Sequence, residues 1–109
     1  MRSKWHKVSQ PERKKRQQEL LLLERCGTIK DLQRQVTFRL VPSVIINGRK
    51  IPPIRYVADF TYKDLMNIKI DEMGGYKLTV EDSKGMITPV YRLKRHLMKH
   101  LFNIDILEK

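Results

Sequence analysis

The sequence predicts a single α+β domain, an α/β layering of helices on a sheet. Three observations carry that expectation. Helical spacing of apolar residues occurs near both ends, alternating apolar and polar residues fill the segments between, and Pro, Asn-Gly and Gly-Gly signals separate them. A chain of 109 residues is the size of one domain, and 40% hydrophobic residues are enough for a modest core.

The first ten residues, MRSKWHKVSQ, read as a flexible basic arm with Trp5 as its anchor, leaving 11–109 as the folded domain. Pro11 suits a first helical turn, and the helix is expected to run to about Cys26 with Gly27 as its left-handed cap. Thr28 to Asp31 reads as a connector. From Gln33 to Val41, Val36, Phe38 and Leu40 alternate with Gln35, Thr37 and Arg39, the pattern of a half-buried strand that Pro42 ends. Val44-Ile45-Ile46 leads into Asn47-Gly48, a hairpin turn signal, and Lys50 to Pro53 follows as an edge segment. Ile54 to Tyr62 is rich in aromatic and β-branched residues and reads as a strand. Met66 to Ile70 reads as another, Gly74-Gly75 as a turn, and Tyr76 to Asp82 as the strand paired back through it. Thr88 and Pro89 open a last helix as N-cap and first residue. Val90, Leu93, Leu97, Met98 and Leu101 form its apolar stripe, with Arg92, Arg95, His96 and Lys99 largely outside it. Ile104 to Leu107 reads as a short terminal strand.

Charge narrows the partner. The chain carries 23 Lys+Arg against 12 Asp+Glu, a formal +11. Such an excess on so small a domain favours a polyanion, either nucleic acid or an anionic membrane surface. The excess is uneven: residues 1–18 hold a net +6 and residues 51–85 a net −1, with half of all the acids in that central segment. A membrane anchor is disfavoured because the basic arm lacks a large apolar face, and the longest apolar run, Leu20 to Leu23, is far short of a membrane span. A single cysteine, Cys26, removes a disulfide scaffold, and a cytoplasmic setting is expected. His6, His96 and His100 form no ligand pattern with Cys26. The four consecutive leucines belong mostly to the core, and they also suit a homodimer contact, since one narrow stripe cannot hide all four.

Two acidic positions carry chemistry. Asp59 sits inside the apolar run RYVADFTY, where aspartate is disfavoured. Asp82 and Lys84, in VEDSKG, are two apart and share one face of an extended strand. If the two strands are neighbours, two carboxylates and a lysine converge. Carboxylates with the Ser83 carbonyl suit Mg²⁺, which takes oxygen ligands and polarises a phosphodiester, and a lysine orients water and stabilises developing charge. An ordinary Asp–Lys cross-strand pair beside a solvated Glu81 is the bland alternative.

The segments IRYVADFTY, VEDSKG and TPVYRLKRHLMKHLFNIDI, with ERCGTIKDLQRQVTFRLVP, resemble a small phage- and prophage-encoded family of the PD-(D/E)XK nuclease superfamily over roughly residues 19–107. The resemblance implies a restriction-endonuclease-like core, a central mixed sheet flanked by an N-terminal and a C-terminal helix. It implies a metal-dependent DNA endonuclease using Mg²⁺, with Mn²⁺ as substitute, on the fold that Holliday-junction resolving and transposon-end nucleases share, acting on branched or Holliday-junction DNA in phage recombination or DNA processing inside a bacterial host. Asp59 matches the first acidic residue of the motif, Asp82 its D/E and Lys84 its lysine, so the resemblance implies that these three are catalytic and that Asp59 and Asp82 hold the metal. Gln35 matches a first-strand glutamine, and Tyr91 and Lys94 match polar positions on the last helix, where with Arg92 and Arg95 they are expected to meet DNA alongside Lys14, Lys15 and Arg16. One departure stands out. Counting back from Gly27 puts Arg13 where the family carries a further metal-binding glutamate; Glu12 fits only with a one-residue shift, and Glu19 lies further along. A non-catalytic nucleic-acid-binding protein on a degenerate nuclease fold is therefore the competing expectation.

Overall fold

The computed structural model describes residues 4–66, 77–83 and 86–109, without the side chains of residues 4–11. The elements are α1 (Lys4–Arg25), β1 (Ile29–Val41), β2 (Val44–Ile46), β3 (Arg49–Ile51), β4 (Ile54–Asp64), β5 (Leu78–Asp82), α2 (Pro89–Phe102) and β6 (Leu107–Glu108). The fold is α+β. One sheet has the order β1-β4-β5-β6, antiparallel except for the parallel pairing of β6 on β5, and β2–β3 forms a separate hairpin.

Local signals place most boundaries. Gly27 (φ 85°) closes α1 in a Schellman motif, in which Thr28 N–H donates to Leu23 O at 3.0 Å and Gly27 N–H to Glu24 O at 3.1 Å. Asn47 and Gly48 both have positive φ, as a two-residue type I′ hairpin turn demands. Thr88 Oγ1 accepts from Tyr91 N–H at 3.1 Å, with Pro89 at the first helical position. Asn103 (φ 57°) ends α2 while Ile104 N–H reaches back to Met98 O.

Four expectations differ, one being the terminal strand, which is Leu107–Glu108 and not Ile104 to Leu107. The helix begins at Lys4 rather than Pro11, so residues 4–10 belong to it. The supposed connector Thr28–Asp31 is already strand from Ile29, because Ile29 is buried under α1 and pairs with Asp64. The apolar stripe foreseen on α2 is rotated: Tyr91 and Met98 are buried, whereas Val90, Leu93 and Leu101 are exposed. The sheet meets α2 along the 91–98 line, and Tyr91 outcompetes Val90 because its hydroxyl finds Glu108 there at 2.6 Å. Beyond Met66, the strand expected to Ile70 lies outside the described residues, as do Gly74-Gly75, Tyr76 and Lys84.

The core is in two parts on opposite faces of the sheet. Leu40, Tyr56, Ala58, Val80, Tyr91, Met98 and Ile104 pack under α2. Leu20, Ile29, Phe60 and Tyr62 pack under α1. Tyr56 and Ala58 thus face α2, while Phe60 and Tyr62, of the same parity along β4, face α1. In a regular strand these four would share a face. The alternation therefore switches at Asp59. Directly across, β1 switches too: Val36, opposite Ala58, lies on the α2 side, and Arg34, opposite Phe60, reaches Gln17 of α1. Gln35 between them has φ 52°, a conformation that non-glycine residues seldom adopt. Both strands kink together, with one-to-one pairing from Gln33–Thr61 to Arg39–Arg55 and register shifts beyond, between Lys30 and Gln33 and between Arg39 and Val41.

Met98 is fully buried at the centre of the α2 layer. Met98→Ala is expected to destabilise the domain by about 2–5 kcal/mol, read as a lower urea midpoint at unchanged slope.

Candidate functional site

The site lies where the sheet steps from four strands to two. The last antiparallel pair of β4 and β5 is Phe60 with Glu81. Asp59 and Asp82 are the next opposed residues, at the position where β5 ends and β4 runs on beside β1 alone. Asp59 is 4% exposed, Asp82 2% and Glu81 0%. Carboxylates so deeply buried require partners, and each has them.

Asp59 Oδ2 accepts the backbone N–H of Ser83 at 2.9 Å, which ties the kink of β4 to the chain leaving β5. Asp59 Oδ1 lies 3.2 Å from Arg13 Nε of α1. That nitrogen is buried and its N–H is not aligned as a hydrogen bond, so the contact is electrostatic. Glu81 is held more firmly. Arg16 grips it bidentately, with one contact at 2.9 Å, and Tyr62 O–H donates to it at 2.8 Å. Asp82 Oδ2 accepts from Tyr56 O–H at 2.6 Å, and its backbone carbonyl accepts from Lys109 N–H at 3.0 Å. Glu81 and Asp82 are neighbours on a strand and point to opposite faces, Glu81 to α1 and Asp82 to α2.

The helix side follows from spacing. Arg13, Arg16, Leu20 and Leu23 lie at i, i+3, i+7 and i+10, one face of α1. Its leucines reach the core and its arginines reach the buried acids. Leu21 and Leu22 are exposed, so the leucine run divides between inside and outside.

Other expected site residues fall in varied places. Lys14, Lys15 and Glu12 are exposed on α1. Arg16 faces inward onto Glu81, and its salt bridge with Glu19 (3.1 Å) occupies that second acid away from Asp59. Tyr91 is buried with its hydroxyl on Glu108. Arg92, Arg95, His96, Lys99, His100 and Asp105 line a surface groove along α2, where Arg95 pairs with Glu108 (2.9 Å) and Lys99 with Asp105 (3.0 Å); Lys94 is half-buried. Gln35 stands opposite Asp59 at the kink. Sequence reasoning missed the roles of Tyr56 and Tyr62; the signal was present, since both sit within a few residues of Asp59 on the same strand. Among the described residues no cluster of three or more His, Cys, Asp or Glu side chains is arranged to hold a metal ion, and no helix is long and apolar enough to cross a membrane.

These hydroxyls are held protonated. Burial is the main cause at Tyr56, Tyr62 and Tyr91. Next comes the hydrogen bond each donates to Asp82, Glu81 or Glu108, then the charge of that carboxylate. Asp59 also raises Tyr56, so the two aspartates act on one hydroxyl.

The site is thus a buried acidic cluster clamped by a helix at a sheet step, in a strongly basic α+β domain. The model of the family described as "Protein of unknown function (DUF1064)" matches residues 7–106, and the chain belongs to that family. No curated protein and no solved structure matches the chain.

A raised tyrosine pKa contributes stability that is complete below the unfolded value near 10 and is lost as pH rises above it. In an ultraviolet titration Tyr56, Tyr62 and Tyr91 are expected to stay protonated through pH 10 and to ionise together with loss of structure at higher pH. Ionisation of all four tyrosines near pH 10 in the folded protein would contradict the three hydrogen bonds.

Proposed function

We propose that the protein is a metal-dependent DNA endonuclease that hydrolyses phosphodiester bonds at the Asp59–Asp82 step, acting in DNA processing or recombination. The observation that carries the reading is the placement of two nearly inaccessible aspartates at opposed positions where β5 ends, joined by the Ser83 backbone. The sequence resemblance to PD-(D/E)XK nucleases and the +11 charge support it from outside the site.

The donor set suits Mg²⁺. That ion is commonly held by one or two carboxylates together with substrate phosphate, and keeps several waters. Asp59, Asp82 and the Ser83 carbonyl would hold it. When bound, it supplies phosphate polarisation and a water of lowered pKa. The chain's own groups prepare the carboxylates. Tyr56 fixes Asp82, the Ser83 N–H fixes Asp59, and burial raises the strength of every charge interaction there. Lys84 would orient water and stabilise charge on the phosphate. Arg13 is the group that stands in the way, because its guanidinium already neutralises Asp59.

That contact favours a second reading. A protein in which an arginine has replaced the metal ligand would bind nucleic acid without cutting it. Incubation with branched, nicked and linear DNA, with and without Mg²⁺ or Mn²⁺, separates the two. The nuclease reading expects metal-dependent cleavage that Asp59→Asn, Asp82→Asn and Lys84→Ala each reduce by at least about a hundredfold while DNA binding persists. Salt-sensitive binding with no cleavage in any metal would establish the second reading.

Arg13→Gln tests the competition directly. It removes the resident cation from Asp59 and is expected to tighten Mn²⁺ binding about tenfold, measured by calorimetry on the protein alone. Unchanged affinity would show that Arg13 and the ion do not compete.

A further inference from the structure

Beyond Asp82, β4 pairs only with β1, and Val36–Val41 with Ile54–Ala58 forms a two-stranded ribbon. One face of the ribbon is packed. Phe38, Leu40 and Tyr56 lie under α2, with the Phe38 and Phe102 rings 5.8 Å apart. The other face carries Thr37 opposite Val57 and Arg39 opposite Arg55, and all four side chains are exposed.

The arginine pair is the anomaly. Directly opposed residues on antiparallel strands hold their Cβ atoms about 4.5–5.5 Å apart, and like charges there are destabilising. No carboxylate among the described residues relieves either guanidinium. None is near in sequence either: from Leu32 to Ala58 the chain has five basic residues and no acid. The ribbon continues into the β2–β3 hairpin, which among the described residues pairs with no other strand. There Lys50 stands opposite Ile45 and Arg49 opposite Ile46, with Ile45 75% and Ile46 52% exposed. A hairpin of this kind has little stability alone in water, and its exposed isoleucines want cover.

We infer that this face and hairpin are a docking surface for duplex DNA. Arg39 and Arg55 hold backbone phosphates, whose charge relieves their mutual repulsion. Arg49 and Lys50 extend the grip, and Ile45 and Ile46 take apolar contact with sugars and base edges. The surface leads to the acidic site: Arg55, Val57 and Asp59 alternate along β4, so Arg55 and Asp59 lie about 13 Å apart along the strand. The choice of DNA as the polyanion rests on the nuclease reading; the charge argument does not.

The test is fluorescence anisotropy of the full chain on a labelled 20-base-pair duplex across a salt series, comparing wild type with Arg39→Gln/Arg55→Gln and with Ile45→Asp. The double variant is expected to lose at least tenfold in affinity at 100 mM salt. Its slope of log affinity against log salt should shrink by about 1.8, for two phosphate contacts. Its melting temperature should be equal to or above that of wild type, since a repulsion has been removed; a structural role for the pair would lower it. Ile45→Asp should weaken binding by a similar factor without unfolding the domain.

Unchanged affinity and slope in the double variant would overturn the proposal, as would no duplex binding by wild type. So would a wild-type dimer in sedimentation that Ile45→Asp makes monomeric with DNA affinity intact, because the face would then meet a second copy. The two readings fail separately. Duplex held through Arg39 and Arg55 but never cut leaves the surface standing and removes the nuclease. Asp59-dependent cutting with a double variant that binds normally does the reverse.

Discussion

Three buried carboxylates constrain everything near them. An ionised side chain moved out of water costs several kcal/mol unless partners replace its hydration. Asp59, Glu81 and Asp82 are all less than 5% exposed. Their partners come from α1 (Arg13 and Arg16), from β4 (Tyr56 and Tyr62) and from the Ser83 backbone. Because Arg13 and Arg16 are one turn apart on the face that also bears Leu20 and Leu23, satisfying the acids and burying the leucines fix the same rotation of the helix. Apolar burial alone leaves a helix free to slide along a smooth sheet. The bidentate Arg16–Glu81 contact specifies its register, a role for buried ion pairs better attested than stabilisation.

The second consequence is the kink. A strand can present Tyr56 and Ala58 to one helix and Phe60 and Tyr62 to the other only by breaking its alternation, and it breaks at Asp59. Gln35 takes the unfavourable φ on the partner strand. Strain of this kind costs of order 1–3 kcal/mol and persists where surroundings over-determine it. Here the two-sided core supplies the determination, and the result is that Asp59 leaves the sheet's regular pattern to meet both α1 and the end of β5.

Much of this was legible in the sequence. Asp59 stood out as an aspartate in an apolar run, and it is buried with an ion-pair partner. The hairpin, the Thr88 cap and the Gly27 terminus were readable because turn and cap chemistry is local. What could not be read depends on distant contacts. The start of β1 at Ile29 rests on α1 overhead. The inward face of α2 is set by Tyr91 finding Glu108, which lies 17 residues away. The kink is invisible because Val36, Phe38 and Leu40 alternate normally and Gln35 looks like any outward polar residue. Arg13 stands out in the sequence only as a mismatch in a resemblance, while its contact with Asp59 depends on the fold.

That contact also bears on how stability and chemistry divide. Asp59 is electrically satisfied by Arg13 and hydrogen-bonded by Ser83 without any ion, so the fold does not need a metal to bury it. A second cation arriving at the same carboxylate would meet the first at close range in a medium of low dielectric, where repulsion is strong. Under the nuclease reading, loading the site therefore means displacing Arg13, and its poorly aligned Nε gives up no well-formed hydrogen bond when it leaves. Arg16 could not be displaced so easily, since two contacts and a tyrosine secure its carboxylate. One helix thus carries a fixed arginine and a loose one, three residues apart, and the loose one sits on the aspartate that the chemistry would use.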